Sequence, residues 1–181
     1  MNIPNIITLA RILLVPVIVW AITSGEMMIA FVLFLAAGIS DAVDGFIAKR
    51  FNMTTELGAY LDPLADKAMI VSIYVALGIS GAIPRWLVIL VVSRDIMIVS
   101  AVLLSWLIAK PVTVKPHPIS KLNTVAQIVF AGLVLASLGF KWEVEAAINA
   151  MMALVAALTL LSIGFYLAEW VRHINSSEDG R

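Results

Sequence analysis

The length of its apolar runs constrains this chain more than any other feature. Apolar stretches fill residues 5–23, 68–80, 86–109 and 124–139 almost without interruption. Alone or with their flanks, they reach the roughly 20 residues a helix needs to cross the hydrocarbon core of a bilayer. Hydrophobic residues make up 62% of the 181 and charged residues 13%. A soluble domain holds roughly 45–50% apolar and about 25% charged residues, and the mean hydropathy here is +1.03. Cysteine is absent, so no disulfide framework and no thiolate chemistry is available. The formal net charge of zero excludes a globally basic nucleic-acid binder.

Clusters of Gly, Pro, Ser and Asn punctuate the apolar sequence. They predict six helices at about 5–23, 27–51, 57–80, 84–109, 119–139 and 144–172. The expectation is an all-α integral membrane protein with six transmembrane helices, one domain over 1–174 and a short polar tail at 175–181. Lys49, Arg50, Lys110, Lys115, Lys121, Arg172 and Arg181 fall on one side of such a bundle, and only Arg85 and Lys141 on the other. The positive-inside rule places the first group, with both termini, in the cytoplasm. Trp20, Trp86, Trp106, Trp142 and Trp170 each stand near a predicted helix end, as interfacial aromatics do. The first residues lack a basic start and a small-residue cleavage site, so they read as a mature first helix. Without an Arg- and Ser-rich presequence, a bacterial inner membrane is the expected location.

Against this background the stretch "DAVDGFIAKRFNMTTELGAYLDPLAD", residues 41–66, is anomalous. Asp41 and Asp44 stand three apart and Asp62 and Asp66 four apart, so each pair shares one helix face. A short connection predicts antiparallel neighbouring helices with the two pairs facing each other. Four carboxylates in one small volume repel unless cations are bound, and ionisable groups at membrane depth mark functional sites. Hard oxygen donors suit Mg²⁺, Mn²⁺ or Ca²⁺, and paired divalent ions in a shared carboxylate site are the usual clamp for phosphoryl transfer. All four acids lie in the cytoplasmic half of their helices, which predicts a cavity open to that side. Small residues along the stretch, Gly45 and Gly58 among them, serve either close helix packing or the approach of a nucleotide diphosphate. Arg11, Lys67 and Arg94 are the cations left inside the spans.

The stretch resembles the CDP-alcohol phosphatidyltransferase family, whose pattern is DxxDGxxAR, eight residues, G, three residues, D, three residues, D. Asp41, Asp44, Gly45, Ala48, Gly58, Asp62 and Asp66 keep every spacing, and Lys49 stands where the pattern has Arg. The resemblance implies the six-helix fold of that family, a homodimer and two divalent metal ions, Mg²⁺ or Mn²⁺. It implies metal ligation by Asp41, Asp44, Asp62 and Asp66, with Asp66 also the general base. By the same resemblance Asp44, Gly45, Ala48, Lys49 and Gly58 meet the CDP moiety. The implied reaction is transfer of a phosphatidyl group from CDP-diacylglycerol to an alcohol, with release of CMP.

The acceptor is read from residues further along. "LDPLADK" (61–67) is similar to phosphatidylglycerophosphate synthases and to cardiolipin synthases of the mitochondrial type. "SRDIMIV" (93–99) and "KPHPISKLNTVAQ" (115–127) resemble the cardiolipin synthase branch more closely. Arg94, Lys115, His117 and Lys121 form a basic group on the cytoplasmic side, suited to an anionic, glycerol-containing acceptor. Phosphatidylglycerol, giving cardiolipin, is the expected one, with glycerol 3-phosphate the alternative. Arg94 lies well inside a predicted helix and needs an anion; its neighbour Asp95 is expected to point to another face. Lys67 is expected to balance the carboxylate cluster. The reading from another class is a divalent-cation transporter, since intramembrane acids also mark ion pathways. The absence of an internal repeat argues against it.

Overall fold

The computed structural model describes residues 3–50, 56–107 and 118–178. Within these, the side chains at 3–7, 44, 46–49, 56–64, 99, 101–107 and 169–178 lie outside the description. The described residues form helices joined by short turns: α1 (Ile3–Thr23), α2 (Met27–Arg50), α3 (Glu56–Ile79), α4 (Arg85–Leu107), α5 (Pro118–Phe140) and α6 (Glu145–Glu178). Most ends fall within two residues of the expected ones. The exception is the last, where α6 runs on to Glu178 through sequence expected to begin the polar tail.

Glycine turns explain two of the boundaries. Gly25 and Gly81 have φ of +80° and +78°, a conformation glycine reaches without a Cβ penalty. In each turn the next amide reaches back five residues, Glu26 N to Ala21 O at 2.8 Å and Ala82 N to Leu77 O at 2.9 Å. These contacts satisfy carbonyls that the helix end leaves open. The α5–α6 turn repeats the geometry, with Trp142 N bonded to Ser137 O at 2.9 Å, but the left-handed residue is Lys141, at φ 56°. The nearby Gly139 is committed elsewhere: a Cβ on it would stand 3.1 Å from Met28 Cα, so it allows the end of α5 to approach the start of α2.

The helices close into a ring. α1 packs on α2, α2 on α5, α5 on α6, α6 on α4, α4 on α3 and α3 back on α1, with α3 also touching α5 across the middle. Among the described residues α2 and α3 make no direct packing contact; α1 lies against both. The stretch expected to bring helices 2 and 3 together includes positions 44, 46–49 and 56–64, whose side chains lie outside the description. Carboxylates on two directly packed helices would repel, and α1 interposes a cation between them.

The interior holds Ile18, Ile22, Ile73, Tyr74, Leu77, Leu87, Val91, Phe130, Leu135 and Val155. The surface is equally apolar, with Leu13, Val32, Ile39, Ile79, Ile89, Ile96, Val125, Leu160 and Leu161 all exposed. Thr8, Arg11, Arg94, Asp95, Asn123, Gln127, Thr159 and Ser162 are buried instead. An apolar outer surface, with charged groups kept inside a mainly apolar core, suits a lipid surrounding. Among the described residues two helical segments, Pro118–Phe140 and Glu145–Ala168, are long and apolar enough to cross a membrane. Thr8–Thr23 and Met27–Val43 are shorter apolar segments among the described residues.

Candidate active site

Three helices contribute one charged side chain each to a common point. Arg11 sits midway along α1, surrounded by apolar sequence, and is fully buried. Its Nη1 lies 2.5 Å from Asp41 Oδ1 on α2 and 2.6 Å from Asp66 Oδ1 on α3. Both carboxylates remain 41% exposed at the side chain while the guanidinium is enclosed. The cation therefore reaches the acids from inside the bundle, and their outer faces stay open to solvent. Asp41 and Asp66 converge although 25 residues of sequence separate positions 41 and 66. Both atoms that meet the guanidinium are carboxylate oxygens, which are hard donors. Gly45, one turn beyond Asp41, has open space around it: among the described residues nothing lies within 4 Å of a Cβ built there.

A second buried polar group lies on the α4 side. Arg94 Nη1 donates to the adjacent Asp95 Oδ1 at 2.6 Å. Arg94 Nε and Nη2 both reach Ser162 Oγ on α6, at 3.1 and 3.0 Å, and Nη2 also donates to Ser120 Oγ in the first turn of α5. Lys67 Nζ completes the group at 2.6 Å from Asp95 Oδ1. Two expectations change here. Asp95 does not point away from Arg94, because the long guanidinium side chain folds back across the one-residue offset. Lys67 pairs with Asp95 and so ties α3 to α4, whereas Asp66, one position earlier, faces α1. Further along, Thr159 Oγ1 donates to Asn123 Oδ1 at 3.1 Å and Tyr74 OH donates to Gln127 O at 3.1 Å.

Of the expected site residues, the structure brings Asp41 and Asp66 together. The side chains of Asp44, Ala48, Lys49, Gly58 and Asp62 lie outside the described residues, although positions 44 and 62 fall within unbroken α2 and α3. Lys115 and His117 lie wholly outside them. Lys121 is exposed on the first turn of α5, next to the Ser120 that Arg94 holds. Among the described residues no group of three His, Cys, Asp or Glu side chains gathers, since only half of the tetrad is included.

The profile of the CDP-alcohol phosphatidyltransferase family matches residues 1–166. The chain belongs to that family. It is a CDP-alcohol phosphatidyltransferase, an enzyme of phospholipid synthesis. Among similar proteins is one described as "Probable phosphatidylglycerophosphate synthase" from Mycobacterium tuberculosis. It is 31% identical over 179 residues, covering 96% of this chain and 83% of the relative. Human cardiolipin synthase (CMP-forming) is 33% identical over 181 residues, covering 91% of this chain and 60% of the relative. A rice chloroplastic CDP-diacylglycerol–glycerol-3-phosphate 3-phosphatidyltransferase is 32% identical over 180 residues, covering 90% and 55%.

Sequence reading of this phosphatidyltransferase assigned no role to three residues at the two polar centres. Arg11 carried a signal, as the lone cation of an apolar run, but nothing in α1 indicated its partners. Ser120 and Ser162 carried almost none, because isolated serines are common in membrane helices.

Proposed function

We propose that this phosphatidyltransferase joins CDP-diacylglycerol to phosphatidylglycerol, releasing CMP and forming cardiolipin. The observation that carries the reaction is the convergence of Asp41 and Asp66 on one cation at a solvent-open face, inside the spaced aspartate pattern of residues 41–66. Asp41, Asp44, Asp62 and Asp66 are the residues to hold two divalent ions, Mg²⁺ or Mn²⁺. Such ions neutralise diphosphate charge and stabilise a leaving phosphate. Asp66 accepts the proton of the acceptor hydroxyl. The acceptor oxygen then bonds to the lipid-side phosphorus as the bond from that phosphorus to the CMP oxygen breaks. Asp44, Gly45, Ala48, Lys49 and Gly58 are assigned to the CDP moiety, with Gly45 leaving backbone room for it.

The acceptor side is assigned to Arg94, Lys115, His117 and Lys121. Every donor nitrogen of Arg94 is engaged within the protein. Its part is therefore to fix the start of α5, from which the exposed Lys121 meets an anionic group. The resemblance of residues 93–99 and 115–127 to the cardiolipin synthase branch favours phosphatidylglycerol. Glycerol 3-phosphate is the second reading, favoured by the 31% identity to the mycobacterial relative, of which this chain covers 83%. The working form is a six-span homodimer in a bacterial inner membrane, with termini and active site on the cytoplasmic side.

The test supplies purified protein with labelled CDP-diacylglycerol and, in turn, phosphatidylglycerol, glycerol 3-phosphate, inositol phosphate or serine. Products are identified by mass. Cardiolipin and an equal yield of CMP are expected, both lost in excess chelator and in a folded Asp66→Asn variant. Phosphatidylglycerophosphate as the product transfers the assignment to the second reading. Undiminished turnover with chelator overturns the metal assignment.

A further inference from the structure

Arg11 holds a position that a bound cation would contest. Its Nη1 lies 2.5 Å from Asp41 Oδ1 and 2.6 Å from Asp66 Oδ1. A divalent ion ligated by those oxygens at about 2.1 Å would stand no more than about 5 Å from the same nitrogen. At that separation, in a medium less polarisable than water, like charges repel strongly. The two cations also arrive from opposite directions. The guanidinium is enclosed between α1, α2 and α3, while both carboxylates open outward.

We propose that Arg11 is the resident counter-cation of the carboxylate site, exchanged for divalent metal when the enzyme loads. Before metal arrives it offsets part of the repulsion between the Asp41 and Asp66 carboxylates, which both contact its Nη1. Bonded to Asp41 on α2 and to Asp66 on α3, Arg11 also links the two carboxylates from α1. Metal binding displaces the guanidinium from at least one carboxylate, so Arg11 lowers divalent affinity while pre-assembling the ligands. It is a positioning residue, acting through Asp41 and Asp66 and not on the substrate. The inference rests on the metal-dependent reading above and adds to it a residue that sets how tightly the metals bind.

Mn²⁺ binding to the purified protein without nucleotide or lipid substrate, followed by electron paramagnetic resonance, tests this. Arg11→Gln is expected to bind Mn²⁺ about tenfold more tightly than the native protein, because one repelling charge is gone. Its melting temperature without metal should fall, and its rise on adding Mn²⁺ should exceed the native one. Unchanged or weaker Mn²⁺ binding by Arg11→Gln overturns the proposal while leaving the metal-dependent reading intact. A native protein that binds no Mn²⁺ overturns both. A second measurement does not depend on Arg11→Gln folding. The Arg11 side-chain NH signals of ¹⁵N-labelled native protein, assigned by their absence in Arg11→Lys, should shift during a Mg²⁺ titration with the midpoint of metal binding. Signals that stay in place through saturation overturn the exchange.

Discussion

Arg94 shows how a single buried charge is accommodated in this protein. Its guanidinium meets Asp95, Ser120 and Ser162, and Asp95 also takes Lys67, so one side chain links α4 to α5 and α6 and, through Asp95, to α3. Truncating one member of a buried pair leaves the other uncompensated. Arg94→Ala is therefore expected to lower unfolding free energy by about 3–5 kcal/mol, measured by denaturant titration in mixed micelles. Lys121, exposed on the next helix, behaves oppositely. Lys121→Ala should change stability by less than about 0.5 kcal/mol while raising KM for the anionic acceptor. A stable Arg94→Ala protein with a raised acceptor KM would instead put Arg94 directly on the substrate.

The three tight turns between helices are built alike and differ in one residue. Two use glycine in the left-handed conformation, and the third uses Lys141 at φ 56°. Its glycine, Gly139, lies two positions earlier, where α5 comes against the backbone of Met28. Close packing has taken the glycine, and the cap falls to a residue whose Cβ crowds the following carbonyl. Lys141→Gly is expected to raise stability by about 0.5–1 kcal/mol, relief of that strain being partly offset by a freer unfolded chain. Gly139→Ala should lower it by about 1–3 kcal/mol, since the neighbouring backbone has to move. Thermal unfolding of both variants in the same detergent checks the pair, and equal effects of one sign would refute this division of roles.

The whole molecule has the apolar core of a water-soluble bundle but wraps it in an outer surface that is apolar as well. Large apolar side chains face outward on most helices, and the buried polar residues among those described lie on α1, α4, α5 and α6. Trp20, Trp86 and Trp142 are exposed at helix ends that alternation of the six helices brings to one side of the ring, a position that suits a membrane interface. The native chain has no cysteine, so single-cysteine variants report orientation without background. The proposed cytoplasmic placement of the Lys-rich side predicts that an impermeant maleimide added to intact cells labels Lys141→Cys and leaves Lys121→Cys unlabelled. Labelling of Lys121→Cys alone would invert the topology.

Helix number and most helix ends were legible in the sequence, because apolar run length and Gly, Pro and Ser punctuation act locally along the chain. The reaction class was legible for a related reason: the spacing of Asp41, Asp44, Asp62 and Asp66 is a property of the helix period and of a family pattern carried by contiguous residues. Partners were not. Arg11 could be recognised as a buried cation, but its two acids lie on other helices. Lys67 and Asp66 are adjacent in sequence yet serve different helices, since a step of one residue rotates a side chain by about 100°. That Arg11 of α1 meets acids of both α2 and α3, and that Arg94 is neutralised by its own neighbour, follow from how six faces close into a ring. Charge pairing across that ring depends on helix order and rotation, which only the tertiary structure decides.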